Sequence, residues 1–334
     1  MTPALSVVDM TRDFDVSAPW LNRVVERKSK AFLRAVDDIS FEVPLGACLS
    51  LVGESGCGKS TVARLVTGLY RPSKGKIEFS LGKTGAPLSA QMIFQDPFAS
   101  LNPRWRVFDI IAEPLRELGL RKGATEIADR VAELLTIVGL AANDGRKFPH
   151  EFSGGQRQRI SISRALASEP EFLVCDEPTS ALDVSVQAQI LNLMRRLQDE
   201  MGLTYLFISH DMSVVRHMSD QIAVMYLGRI VEQAATEQLF ADPKHPYTRM
   251  LLETIPNVRN PKRQREAPVG EVPSPLNPPS GCTFHTRCPL ADNRCKVERP
   301  EMLSYRDGSR VACHRIAETM EALAVPAQSG LHSI

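Results

Sequence analysis

Gly53-Glu54-Ser55-Gly56-Cys57-Gly58-Lys59-Ser60 keeps the spacing G-x-x-x-x-G-K-[ST] of a loop that wraps phosphate. Its glycines let successive backbone N–H groups turn inward as an anion nest. A helix opening there points its positive end at the same place. Lys59 supplies a mobile charge for the β- and γ-phosphates of a nucleotide, and the Ser60 hydroxyl, followed by Thr61, can ligate Mg²⁺. Cys57 occupies a variable position with no His indicated beside it, so it reads as a small filler rather than a nucleophile. A second run, Phe172-Leu173-Val174-Cys175-Asp176-Glu177, places two carboxylates behind four apolar residues. A buried strand there delivers the acids at its carboxyl end, where open α/β sheets bind ligands. Asp176 then suits Mg²⁺, held through water, and Glu177 suits the polarising of an attacking water. A third run, Phe152-Ser153-Gly154-Gly155-Gln156, opens a helix as a second preformed anion site, and it serves no catalytic residue of its own chain.

These sites need strands that end together. Cys48 to Val52 is a continuous apolar run of the buried-strand type, and a helix is expected from about Gly58 to Leu69. Short apolar runs at 172–176, 204–208 and 221–225 lie between helical stretches. Residues 107–140 are helical in pattern, with Val131, Leu134, Leu135 and Val138 at spacings of three and four. Strands alternating with helices predict an α/β fold, a largely parallel sheet covered on both faces. Residues 1–15 and Ile39 to Val43 read as further strands. Residues 18–34 read as irregular and basic, with Arg23, Arg27, Lys28, Lys30 and Arg34 against Glu26. A solvated loop and a membrane- or partner-facing patch both fit them. From 256 to 280, Pro256, Pro261, Pro268, Pro273, Pro275, Pro278 and Pro279 exclude a helix or central strand and predict a linker or extended wrap. The expected division is a nucleotide-binding domain at 1–255 with a helical subdomain at about 96–165, a C-terminal region at 256–325 holding four cysteines, and a frayed tail at 326–334.

The chain has 334 residues, enough for about two domains and for a core that folds without staples. Lys and Arg number 40 against 39 Asp and Glu, a net charge of +1, which argues against a protein built to coat nucleic acid. Hydrophobic residues at 43% and charged residues at 24% exclude wholesale disorder. No run approaches the roughly 18 to 20 apolar residues of a membrane span, and Met1 to Phe14 carries no secretory pattern. The expected location is therefore the cytosol, or a membrane reached through a partner. Cys48, Cys57 and Cys175 are scattered, whereas Cys282, Cys288, Cys295 and Cys313 fall together near the end. In a reducing compartment such clustering suggests metal rather than disulfides.

The order of these motifs resembles that of the ABC ATPase family over about residues 1–255. Phe152 to Gln156 is similar to its signature loop, with Phe152 where Leu is more usual. Gln95 resembles the Q-loop glutamine, Ser180-Ala181-Leu182-Asp183 the D-loop, and His210 the switch histidine. The resemblance implies two nucleotide-binding domains packed head to tail around two ATP molecules. Ser153, Gly154, Gly155 and Gln156 of one would face the γ-phosphate held by Lys59 of the other. Gln95 would sense Mg²⁺ and the lytic water, and His210 would hold the γ-phosphate and position Glu177. Phe32 is the candidate for stacking on adenine, with plain packing as the alternative.

Three further segments narrow the resemblance. Gln95-Asp96-Pro97-Phe98-Ala99-Ser100-Leu101-Asn102-Pro103-Arg104, the run His245-Pro246-Tyr247-Thr248, and Gly281 to Pro289 with Cys295 and Cys313 are similar to the ATPase subunits of oligopeptide, dipeptide and nickel importers. That group implies an ATP-hydrolysing translocase subunit on the cytoplasmic face of the inner membrane. Its partners would be a related ATPase subunit (or a second copy), two permease subunits, and indirectly an extracytoplasmic solute-binding protein, with no nucleic acid. Peptides lead as cargo; nickel chelates, opines and glycosides are carried by relatives. The spacing of the four late cysteines lacks the short pairs usual for zinc, and four thiolates can equally hold a [4Fe–4S] cluster. Zinc, iron–sulfur and reduced buried thiols stay open on the residues alone; the resemblance favours iron–sulfur.

Overall fold

The computed structural model describes residues 3–19, 22, 29–82, 85–255 and 270–320. Its strands, in chain order, are β1 (Pro3–Asp15), β2 (Phe32–Pro44), β3 (Cys48–Val52), β4 (Lys74–Phe79), β5 (Ala90–Ile93), β6 (Phe172–Asp176), β7 (Thr204–Ser209), β8 (Gln221–Tyr226), β9 (Arg229–Ala235), β10 (Leu303–Ser304) and β11 (Arg310–Val311). Eight of them form one sheet in the order β10-β11-β9-β8-β3-β7-β6-β5. From β8 to β5 the pairing is parallel, as the continuous apolar runs require. Alternate side chains of β6 and β7 enter different cores. Leu173, Cys175, Tyr205 and Phe207 pack with the helices Val107–Glu117, Ala124–Ile137 and Gly154–Ala167. Phe172, Val174, Leu206 and Ile208 pack on the other face, against the helix Lys59–Val66 and β1 and β2.

The expectation of a largely parallel sheet holds only for this centre. β9, β10 and β11 run antiparallel, and β1, β2 and β4 form a separate antiparallel sheet in the order β2-β1-β4. Phe32, Leu33 and Arg34 belong to β2 rather than to an irregular loop, because they pair with Asp15, Phe14 and Asp13. Arg23, Glu26, Arg27, Lys28, residues 256–269 and the tail from 321 lie outside the described residues. Within 270–280 there is neither helix nor strand, as the prolines demand. The helical stretch 107–140 is two helices. The first ends before Gly119, whose φ of +64° suits glycine, and Gly123 precedes the second. The phosphate-loop helix stops at Val66 rather than Leu69, with Gly68 at φ +75°.

The segment after β9 is tied back by a buried carboxylate. Glu232 is 1% exposed and accepts bonds from the N–H groups of Lys244 (2.8 Å) and His245 (2.9 Å). Lys244, itself buried, pairs with Asp307 at 2.6 Å and so joins the β10–β11 hairpin to this segment. His245 caps the helix Pro246–Glu253, its Nδ1 accepting from the Tyr247 N–H at 3.1 Å. Complete burial pushes the His245 pKa down to about 3. The unfolded chain takes up a proton on this residue below about pH 6.5 and the folded chain does not. Stability is therefore intact above that pH and drains away as the pH falls toward 3. Between pH 7 and 4.5 the wild type should lose about 2 kcal/mol more than His245→Asn, which keeps a capping acceptor; urea unfolding at the two pH values measures it.

Candidate active site

The sheet order places the expected residues at one end. β5, β6, β7 and β3 are neighbours, so the segments that follow them emerge side by side at their carboxyl ends. These segments carry Gln95, Asp176 with Glu177, His210, and the phosphate loop. Two glycines of the loop sit where no side chain fits. A Cβ on Gly53 would lie 2.1 Å from the Met225 carbonyl oxygen, and one on Gly58 2.2 Å from that of Ala35. Gly58 also has φ +108°. Cys57 is buried, and burial pushes its thiol pKa up, in keeping with a filler.

Lys59 is 5% exposed, and its Nζ donates to the carbonyls of Gly53 (2.7 Å) and Glu54 (3.0 Å). The Ser60 hydroxyl donates to Asp176 Oδ1 at 3.0 Å, joining the two residues expected to share Mg²⁺. Burial raises the Asp176 pKa, while the Ser60 bond opposes that rise. Glu177 follows at φ +45°, a left-handed backbone that a carboxylate residue adopts only where its surroundings hold it. Its Oε2 accepts from Gln95 Nε2 at 3.0 Å, and its Oε1 lies 3.2 Å from His210 Nδ1. Ser55, Gln95, Glu177, Ser180 and His210 line one open cavity. An adjoining cleft of about 300 Å³ is lined by Ser55, Gly56, Gly58, Lys59, Ser60, Thr61, Gln95 and Glu177.

The outer wall of that cleft is Phe14, Leu33, Arg34 and Ala35, and Phe32 is not part of it. Phe32 stands one step farther along the β1–β2 ribbon, opposite Asp15, and is 53% exposed. Phe14, opposite Leu33, is the aromatic that reaches the cleft; its ring meets Tyr70 edge-on at 5.4 Å. The signal available in the sequence was Phe14's place at the end of the first strand. Choosing between the two rings needed the hairpin register.

Ser153, Gly154, Gly155 and Gln156 line neither cavity. They form a helix N-terminus with reciprocal caps: Ser153 Oγ accepts from the Gln156 N–H at 3.4 Å, and Gln156 Oε1 accepts from the Ser153 N–H at 3.0 Å. A Cβ on Gly155 would lie 2.3 Å from Val186 Cγ1, so the turn packs tightly beneath the D-loop helix Val184–Met201. Asp183 caps that helix, accepting from the Val186 N–H at 2.9 Å.

The four late cysteines come together. All are free; Cys295 and Cys313 are buried, Cys282 and Cys288 half-buried. Burial raises each thiol pKa, Cys282 to about 11, and for Cys282, Cys288 and Cys295 repulsion from neighbouring cysteines adds to it. No three His, Cys, Asp or Glu side chains among the described residues are arranged to hold a metal ion, so the iron–sulfur expectation gains no geometric support.

The family model described as ABC transporter matches residues 36–180, and the one described as Oligopeptide/dipeptide transporter, C-terminal region, matches residues 231–295. The putative oligopeptide transport ATP-binding protein YkfD of Bacillus subtilis is 48% identical over 335 residues, covering 96% of this chain and 98% of the relative. The dipeptide transport ATP-binding protein DppF of Haemophilus influenzae is 44% identical over 327 residues, covering 92% and 100%. Among solved structures, cbiO1 from Clostridium perfringens, part of the ABC transporter complex cbiONQ, aligns with a TM-score of 0.58 at 25% identity over 72% of this chain and 92% of that one. The chain therefore belongs to the ABC transporter family, among the ATP-binding proteins of oligopeptide and dipeptide transport.

Proposed function

We propose that this chain hydrolyses ATP to drive import of di- and oligopeptides, working head to tail with a related ATPase subunit beneath two permease subunits at the cytoplasmic face of the inner membrane. The observation that carries the pairing is the separation of the two anion sites. The capped turn at Ser153 is exposed and lines neither cavity around Lys59, and the cavity holding Glu177 and His210 is open. A second subunit facing it completes both sites at once.

In this reading Lys59 turns from the Gly53 and Glu54 carbonyls to the β- and γ-phosphates. Ser60 and Asp176 would hold Mg²⁺, which when bound would supply positive charge to the phosphates. Phe14 offers its ring to the base. Glu177 accepts the proton of the attacking water as its oxygen bonds to the γ-phosphorus and the bond to the β–γ bridging oxygen breaks. Gln95 and His210, each within 3.2 Å of one Glu177 oxygen, orient that carboxylate. Among the described residues no helix is long and apolar enough to cross a membrane. Phe98 and Trp105, 51% and 41% exposed near the start of the helical subdomain, offer apolar contacts to a permease.

The test is reconstitution with the candidate permeases in vesicles. A binding protein loaded with dipeptide should raise ATP hydrolysis several-fold. Stimulation by a nickel chelate, opine or glycoside instead would overturn peptide as the cargo. On the resemblance alone, the proposal extends to a [4Fe–4S] cluster on Cys282, Cys288, Cys295 and Cys313, with zinc less favoured. Anaerobically purified protein should then be brown and hold about four iron atoms per chain. Colourless, iron-free protein removes the cluster.

A further inference from the structure

Glu54 fills one of the unspecified positions of the phosphate-loop pattern, and it does not line the cleft that Ser55, Gly56 and Gly58 to Thr61 line. Each of its polar groups is nevertheless held. Its N–H donates to the Tyr247 hydroxyl oxygen at 2.8 Å, and its carbonyl accepts from Lys59 at 3.0 Å. Its carboxylate accepts two bonds from the Arg287 guanidinium, at 2.7 and 3.0 Å.

Arg287 comes from the cysteine-bearing lobe, 233 residues downstream. Its side chain is 3% exposed, and its guanidinium lies 5.9 Å from the ring centres of Tyr226 and Phe284. Tyr226, Tyr247 and Phe284 form a continuous ring cluster with centroids 4.7 to 5.4 Å apart. The His-Pro-Tyr-Thr run and the lobe therefore meet at one residue of the phosphate loop.

A forked, two-bond pair fixes direction as well as distance, which a point charge would not. The glycine-rich loop must hold its N–H groups inward to bind phosphate, and anchoring Glu54 removes conformations it would otherwise give up on binding. We infer that Arg287 is a positioning residue for ATP: through its paired bonds to Glu54 it holds the phosphate loop in its binding shape, and the C-terminal lobe thereby sets nucleotide affinity. The inference rests on the reading of this loop as the ATP site.

The test is steady-state MgATP hydrolysis by the assembly reconstituted in vesicles as above, this chain carrying Arg287→Gln, Arg287→Lys, Glu54→Gln, or Glu54→Gln with Arg287→Gln. Each single variant should raise KM about tenfold and leave kcat within about twofold. Lys, lacking the fork, should restore little. The double variant should be no worse than the worse single, since both remove one interaction. Unchanged KM in folded variants overturns the inference, as does a fall in kcat and thermal midpoint with KM constant. If Arg287 variants do not fold, Glu54→Gln decides alone, because its side chain is 24% exposed and keeps an acceptor. A wild-type assembly that fails to saturate with MgATP would sink the reading of the site itself. Saturable wild type with unaffected variants sinks only the role of Arg287.

Discussion

Glu177→Gln should bind ATP and almost cease to hydrolyse it, with turnover lowered by about 10²- to 10⁴-fold. The substitution keeps shape and loses one property. An amide oxygen can still accept from Gln95 Nε2, now 3.0 Å from Oε2, or face His210 Nδ1, now 3.2 Å from Oε1. It cannot take a proton from water. Lys59, Ser60 and Asp176, which contact the nucleotide and its metal in the proposed mechanism, are untouched. Binding therefore persists while chemistry stops, and the ATP-bound closed pair should accumulate. Phosphate release under single-turnover conditions, with nucleotide occupancy measured alongside, separates the two effects. Normal hydrolysis in this variant would remove Glu177 as the base and leave His210 to be tested in its place.

Lys59→Ala should fail one step earlier. The side chain is buried and bridges two carbonyls of its own loop, Gly53 and Glu54. Its removal deletes the charge that meets the β- and γ-phosphates and releases the loop those bonds tether. A hydrogen bond to a charged group contributes about 1.5–3 kcal/mol, and two are lost to the phosphates, so ATP affinity should fall by about 10²-fold or more. Calorimetric titration with a non-hydrolysable ATP analogue in Mg²⁺ reads this directly. Affinity within a few-fold of wild type would show that the backbone nest and helix end suffice without Lys59.

The chemistry of this molecule was more legible than its wiring. The phosphate loop and the carboxylates of Asp176 and Glu177 are local patterns, readable from adjacent residues even though their supports come from far along the chain. Continuous apolar runs identified the central parallel strands for the same reason, since both faces of each are buried. What stayed hidden depends on pairing across distance. The antiparallel sheet of β1, β2 and β4 follows from register, as does the choice of Phe14 over Phe32 at the cleft. The break at Gly119 was masked by helical spacing that continues on both sides of it. Arg287 carries no mark of its destination, because nothing near it in sequence mentions Glu54. The late cysteines were legible as a group along the chain, and that grouping did not become a metal-holding arrangement among the described residues.

The outer strands of the eight-stranded sheet are both short. β10 has two residues and β5 has four. Unpaired N–H and C=O groups on a long outer strand recruit other chains, and very short ones give them little to grip. β9, with seven residues, would be such a template, and the β10–β11 hairpin covers part of it at Glu232 and Gln233. A nascent chain that has not yet made residue 311 presents β9 bare. Protection from self-association thus arrives only once residue 311 is made, and fragments cut before the hairpin should aggregate where a chain that carries it stays dispersed.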